Sequence, residues 1–399
     1  MAITLYVESI VQYPGSGMML CALSLLLSGG GAAVAAAGTI TDTLYGLALS
    51  PAQSGHVLAK VDARGEITAV SEGPLPFSPD NHTGSLSVID VTTGIMWYIG
   101  RNGTASADPA PATLVGVSLA SGVAFCSVPL PVGFGESGAG MSLDLDTLFG
   151  ELVISGLATA GSKTSRRIVR VTPVPNSTTC GHPDVIGDIG FTSHLPAFSD
   201  SAFNADNNHL YLEVVTDDGQ GGLAPGLAEV SMRSASGQPA PPNVTQVMRN
   251  SLASGARQLA WSSDPDGQPA LLSLAPAAAP AAGFVLKWFT PHRFTPQPAT
   301  VVPLDDGGRG LNVQGGKGGT VRAQSSITCV GGVWHEVGYA ILGHQAASQP
   351  LEDVAMLLVA IDLRTATVVS AVPLASASLG PSKLLSTDLA TLAWSPRSF

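Results

Sequence analysis

Met356 to Leu374 reads MLLVAIDLRTATVVSAVPL. Two apolar runs rich in β-branched residues flank a short polar turn that opens at Asp362. Aspartate and threonine accept backbone hydrogen bonds in turns, so the stretch reads as a β-hairpin. The same pattern returns at His56 to Gly73, HVLAKVDARGEITAVSEG, and at Ala112 to Pro131, ATLVGVSLASGVAFCSVPLP. Weaker copies begin at Arg166, Gly226 and Phe284. A second kind of hairpin precedes each copy except the first. It reads GSLSVIDVTTGIMWYIG from Gly84 and GMSLDLDTLFGELVISGL from Gly140, with further versions from Asp200, Arg257 and Ser325. The two hairpins together make a four-strand unit that recurs every ~56–68 residues, the range of large propeller blades.

The ends of the chain fit this scheme. Leu44 to Leu49, LYGLAL, resembles a second strand with little before it, and Leu389 to Ser395, LATLAWS, resembles a first strand with none after it. Pairing the two makes one composite blade and removes an open sheet edge. The expected fold is therefore all-β: a β-propeller of six blades, each of four antiparallel strands. A further repeat in the long segment 305–325 would make it seven. A β-sandwich array is the alternative.

The best copies of the unit are VIDVTTGIMWYI from Val88 and LVAIDLRTATVVSAVPL from Leu358. They resemble the repeats of YVTN, quinoprotein-like and NHL-type propellers. The resemblance implies a fold over most of residues 40–399. It implies no activity, because propellers host enzymes, receptors and scaffolds alike.

Composition agrees. Charged residues are 12% of the 399 and hydrophobic residues 45%, with 46 Gly and 29 Pro. Such a chain suits short strands and many turns rather than long solvated helices. The net charge is −11, and the longest basic run is Arg166-Arg167. A nucleic-acid partner would need a basic footprint, so none is expected.

Residues 18–37 read MMLCALSLLLSGGGAAVAAA. A Leu-rich core followed by small residues has the form of a signal peptide cleaved near Ala37 or Gly38. The preceding residues hold Glu8 and no basic residue, which a start codon assigned too early, before Met18, would explain. The expected domains are a signal peptide over 1–37 and one propeller over 38–399. Secretion follows, with no membrane span after cleavage; an uncleaved segment would instead tether the protein to a membrane. Four sequons, at Asn81, Asn102, Asn176 and Asn243, fit N-glycosylation and all fall in segments read as loops. Cys21 lies in the leader. Cys126 and Cys180 sit on outer-strand segments of neighbouring repeats and are the expected disulfide, while Cys329 reads as a small buried hydrophobe.

Oxygen-rich clusters are candidates for a divalent cation such as calcium: Asp144 and Asp146 on one strand, Asn204 and Asp206 around another, and Asp264 with Asp266 in a turn. Asp and Asn also populate hairpin turns for their backbone hydrogen bonds alone. Catalytic motifs are lacking. The run GLNVQGGKGGT from Gly310 breaks phosphate-loop register, His335-Glu336 lacks the second histidine of a zincin, and no G-x-S-x-G elbow occurs. The reading favoured is an extracellular binding module for a protein or glycan. Its contact loops would be 131–139, 217–225 and 305–320. The alternative is a metal-dependent hydrolase of the lactonase or esterase type.

Overall fold

The hairpins turn on aspartates. Asp62 Oδ1 accepts from the amides of Arg64 and Glu66 at 2.9 Å each. Asp90 Oδ1 accepts from Thr92 N at 2.9 Å, Asp146 Oδ1 from Leu148 N at 3.1 Å, and Asp362 Oδ1 from Thr365 N at 3.2 Å. In two of these turns the glycine four residues after the aspartate donates its amide to the aspartate carbonyl, Gly94 to Asp90 at 2.9 Å and Gly150 to Asp146 at 2.7 Å. Both glycines have positive φ, 70° and 65°, which a residue without Cβ adopts freely. Ala366 holds the same position after Asp362 with φ 51°. Its Cβ crowds the carbonyl there, so Ala366→Gly is expected to stabilise the protein by ~0.5–1 kcal/mol after the extra unfolded-chain entropy of glycine. A comparison of urea midpoints checks this; an unchanged or lowered midpoint would contradict it.

The computed structural model describes residues 43–50, 55–62, 64–79, 86–102, 111–131, 141–160, 163–174, 177–189, 201–204, 207–217, 222–233, 238–248, 258–263, 269–276, 283–289, 300–303, 321–323, 328–330, 337–344, 355–362, 365–376 and 389–395. All lie in the compact unit Thr41–Phe399. Among them every regular element is a strand. In chain order the strands are β1 (Thr43–Ser50), β2 (Gly55–Val61) and β3 (Glu66–Ala69); β4 (Ser78–Pro79), β5 (Ser87–Asp90), β6 (Ile95–Arg101), β7 (Thr113–Ser118) and β8 (Ala124–Pro129). Next come β9 (Ser142–Asp146), β10 (Glu151–Ala160), β11 (Lys163–Val171) and β12 (Pro183–Ile189), then β13 (Ser201–Asn204), β14 (His209–Asp217), β15 (Leu223–Arg233) and β16 (Pro239–Met248). The last are β17 (Gln258–Ser263), β18 (Pro269–Pro276), β19 (Gly283–Phe289) and β20 (Thr300–Pro303), followed by β21 (Val321–Ala323), β22 (Thr328–Val330), β23 (Val337–His344), β24 (Ala355–Asp362), β25 (Thr367–Pro373), β26 (Ala375–Ser376) and β27 (Leu389–Ser395).

Among the described residues these strands form six sheets. The first is ordered β26-β3-β2-β1-β27, and β27 lies antiparallel to β1 with Leu44 opposite Trp394. The second holds β4 to β8, the third β9 to β12, the fourth β13 to β16, the fifth β17 to β20 and the sixth β21 to β25. The first strands of successive sheets touch in the order β27, β5, β9, β13, β17, β22, and β22 touches β27. The sheets thus stand face to face around an axis, and the fold is a β-propeller.

The expectation of four antiparallel strands per sheet needs correcting. Three sheets carry a fifth strand, and β26 runs parallel to β3, with Ala375 opposite Glu66. The extra strands β4, β21 and β26 are two or three residues long, too short to show any hydrophobic period. Of the segment 217–225 read as a contact loop, Asp217 pairs with Leu223, so its ends extend the β14–β15 hairpin. The segments 132–139 and 305–320 lie outside the described residues.

The first four sheets are buried on both faces, which explains why their strands read as continuous apolar runs. Along β7, Leu114 joins the cluster shared with the third sheet, while Val115 and Val117 join the one shared with the first. Similar layers join the first sheet to the sixth through Val57, Ala59 and Leu358, and the fourth to the fifth through Leu227, Leu271 and Phe289. The third and fourth meet through Ile168, Leu210 and Leu212.

Candidate functional site

Polar chemistry concentrates between the third and fourth sheets. Alternate residues of β9 split there: Leu143 and Leu145, with Met141 just before the strand, face the second sheet, whereas Ser142, Asp144 and Asp146 carry polar groups on the side facing the fourth. On β11 the same alternation divides the Arg166-Arg167 pair. Arg167 reaches Asp188 on β12, at 2.7 Å from Nε to Oδ1 and 3.0 Å from Nη2 to Oδ2, and this holds the Asp188 carboxyl below its usual value. Arg166 is buried, and its Nη2 donates to Ser155 Oγ at 2.9 Å.

A chain of hydroxyls continues from Ser155. Ser155 Oγ lies 2.6 Å from Ser142 Oγ, and Ser142 Oγ lies 2.6 Å from Ser201 Oγ on β13. Ser201 also bonds Asp144, whose other oxygen accepts from Phe203 N at 3.1 Å. One hydroxyl hydrogen cannot serve both Ser142 and a carboxylate. With Asp144 ionised, Ser201 gives its hydrogen to Asp144, Ser142 donates to Ser201, and Ser155 to Ser142. Every member then donates in one direction from guanidinium to carboxylate, and each bond polarises the next. Asp144 is thereby a tie from β9 to β13.

Nearer the turns, Arg233 at the end of β15 crosses to the third sheet. Its Nη2 lies 2.9 Å from Glu151 Oε2 and 3.4 Å from Asp146 Oδ2, and its Nε donates to Asn208 Oδ1 at 3.1 Å. The guanidinium carbon sits 3.6 Å from the centre of the Phe149 ring. Arg170 Nε is 3.2 Å from the same Glu151 oxygen. Burial pulls the Arg170 guanidinium below its usual range; Glu151 opposes that pull and Arg233 adds to it. Two carboxylates and two guanidiniums thus share one desolvated space. Above it the β9–β10 turn presents Leu148 and Phe149, 64% and 47% exposed. The equivalent residues of the β5–β6 turn are Thr92 and Thr93.

A third cluster lies on the side of the fourth sheet that faces the fifth. Glu229 on β15 accepts from Tyr211 Oη at 3.1 Å and Thr245 Oγ1 at 2.9 Å, and its Oε1 lies 2.7 Å from His209 Nδ1. Tyr211 stacks on Trp261 with centroids 5.5 Å apart. Burial raises the pKa of the Tyr211 hydroxyl well above its ordinary value; the hydrogen bond from Asn207 opposes this and Glu229 adds to it.

The residues singled out by sequence fall as follows. Asp146 is fully buried, bonded to its own turn and to Arg233. Asn204 is buried on β13, and Asp206, Asp264 and Asp266 lie outside the described residues. Among the described residues no group of three or more His, Cys, Asp or Glu is placed to hold a metal ion. A disulfide joins Cys126 on β8 to Cys180 ahead of β12. Asn102 is exposed just past β6, and Asn81 and Asn176 lie outside the described residues. Asn243 is a correction: it sits within β16, opposite Ser231, rather than in a loop. It is nonetheless exposed, because β16 is the outermost strand of its sheet.

His56, buried on β2, has no partner for Nδ1. Desolvation lowers its pKa below the ordinary 6.5. The unfolded chain therefore binds a proton that the native one refuses. Stability is full above ~6.5 and falls as pH drops below it, by at most ~1.4 kcal/mol per pH unit for one group. The melting temperature of the wild type should fall over this window more steeply than that of His56→Gln. Parallel curves would sink the assignment.

No family model matches the sequence, and no curated protein matches it either. Solved structures resemble it as folds only. The Pseudomonas aeruginosa periplasmic gluconolactonase PpgL is 11% identical, with TM-score 0.42, over 89% of this chain and 99% of that one. A mutant of AofleA from Arthrobotrys oligospora is 8% identical, with TM-score 0.45, over 80% of this chain and 79% of that one. A Penicillium chrysogenum alpha-L-arabinanase complexed with arabinobiose is 13% identical, with TM-score 0.39, over 71% of this chain and 81% of that one.

Proposed function

We propose that the protein is a secreted, glycosylated, six-bladed propeller, its ring completed by β27 against β1, that binds a protein partner. The observation carrying the binding reading is the β9–β10 tip. Leu148 is largely exposed and Phe149 about half exposed, on a turn fixed from beneath by Asp146, Gly150 and Arg233. The fold does not need them there, since the β5–β6 turn makes the same shape with Thr92 and Thr93. A rigid aromatic-aliphatic tip loses little entropy on binding and suits an apolar pocket on another protein. Leucine offers a sugar nothing to hydrogen-bond, which favours a protein over a glycan. The disulfide and the exposed Asn102 and Asn243 sequons support an oxidising, glycosylating compartment.

The alternative, a divalent-ion-dependent lactonase or esterase, would draw on Asp144 and Asp146. Their bonds to Ser201, Phe203 N and Arg233 support a structural role for both acids instead.

The test replaces Leu148 and Phe149 by Thr together, giving the tip the residues of the β5–β6 turn. Partners cross-linked to the secreted wild type at the cell surface are identified and their affinities measured. Loss of affinity by ~100-fold or more, as for removal of a hot spot, in a variant that still unfolds cooperatively, is the expected result. Undiminished affinity would remove the tip from the interface. Hydrolysis of lactones or esters by the purified protein, dependent on an added divalent ion, would favour the alternative.

A further inference from the structure

We propose that Asn243 receives its glycan only before the fourth sheet closes, so that attachment and folding compete for one stretch of β16. The proposal rests on the sequon reading above and adds to it an order of events.

Attachment is a glycosyl transfer. Nδ2 of Asn243 attacks the anomeric carbon of a lipid-linked oligosaccharide, and a C–N bond forms. The bond from that carbon to the pyrophosphate oxygen breaks, the lipid pyrophosphate leaves, and Nδ2 gives one proton to a base of the transferase. Nothing is oxidised or reduced. The transferase reads the hydroxyl two residues on as well as the amide, which is why the acceptor is N-x-[ST]. Asn243, Val244 and Thr245 must therefore enter its cleft together, free of other partners.

The fold withdraws this segment. The Asn243 side chain is exposed on the outermost strand of its sheet, so a glycan already attached points to water. The backbone, however, is paired, with Asn243 opposite Ser231 and Val244 opposite Val230. Thr245 is the extra residue of a β-bulge, since Glu229 stands opposite Gln246. Its Oγ1 donates to Glu229 Oε2 at 2.9 Å and lies 3.3 Å from the Glu229 carbonyl oxygen. The hydroxyl that the transferase reads is thus turned back onto the sheet. Val244 and Val247 pack against the apolar layer between the third and fourth sheets. Just before Asn243, Pro242 closes on β12: a Cβ on Gly187 would come within 2.8 Å of its Cδ. Freeing the sequon means peeling β16 from β15, uncovering that layer and parting β16 from the third sheet. A folded chain spends little time so opened.

Chain order makes the contest direct. Gly187, Glu229, Val230 and Ser231 all precede Asn243, so the surfaces that close on the sequon exist when it is made. A hairpin of β15 and β16 alone is marginally stable, so the site shuts when that hairpin docks. The interval before docking is the time open to the transferase. A chain that folds first stays without the glycan.

The experiment uses the full chain, folded and unglycosylated, from a bacterial host, beside a free peptide running from Gln238 to Met248. Each receives a purified oligosaccharyl transferase and lipid-linked oligosaccharide, and Asn243 is followed by peptide mass. The peptide is expected to be modified, and the folded chain to react slower by ~100-fold or more, since the site opens only with its sheet. In a secretory host, Thr245→Ser keeps a hydroxyl but is a slower acceptor, which holds occupancy below saturation. Cys180 lies just ahead of β12, on which β16 closes. Reductant present during synthesis delays the Cys126–Cys180 bridge, and should raise the glycosylated fraction of Thr245→Ser at Asn243. Equal rates on folded chain and peptide, or a fraction that reductant does not move, would overturn the proposal and leave the sequon reading standing. A peptide left unmodified, with a secreted wild type bare at Asn243, would overturn both.

Discussion

Arg233→Leu is expected to cost ~3–5 kcal/mol of stability. The removed guanidinium is the cation nearest both Asp146 and Glu151, and its loss leaves Asp146 without an opposite charge at contact distance. Arg170 stays beside Glu151 but is itself held down by burial. The stack on Phe149 disappears as well. The destabilisation comes from stranded buried charge rather than from one lost bond. Neutralising the acids in the same chain, with Asp146→Asn and Glu151→Gln, should therefore recover part of it. Urea unfolding of the three chains decides the matter. A loss below ~1 kcal/mol for Arg233→Leu would mean that water reaches this layer and screens it like a surface pair.

Loss of the Cys126–Cys180 bridge is the second large effect. The bond spans 54 residues of sequence and joins the outer edges of two neighbouring sheets. Closing a loop of that length removes ~4 kcal/mol of unfolded-chain entropy in the simple cross-link model. Both sulfurs are buried, so replacement by alanine adds a packing cost. Reductant separates the two terms. It should lower the melting temperature of the wild type and leave that of Cys126→Ala/Cys180→Ala unmoved. Equal sensitivity in both chains would show that the bridge is not what reductant acts on.

The hairpins were legible because strand and turn chemistry is local. VIDVTTGIMWYI carries its own turn acceptor, its own glycine and both flanking strands. The pairing of LATLAWS with LYGLAL could be reasoned because LATLAWS has no second strand after it and LYGLAL has no first strand before it. The polar layer could not. Arg233 and Asp146 are 87 residues apart, and Ser201 and Ser142 are 59 apart, so no window of sequence contains either contact. Each appears in its own strand as an isolated polar residue. Asp144 and Asp146 were visible as an alternating acid pair. Alternation says that they share a face, not whether a cation, an arginine or a hydroxyl stands opposite. The exposed tip was equally silent, since DTLFG reads as one more apolar stretch within a strand pattern. Only exposure separates it from the core.

The pairing of β1 with β27 has a consequence for how the chain is made. β1 is the first described strand to leave the ribosome and β27 the last. The first sheet therefore waits, with one side of β1 unpaired, while every other sheet is synthesised. Through that interval the nascent protein displays a bare strand edge, so its yield should depend on translation speed and on chaperones that shield such edges.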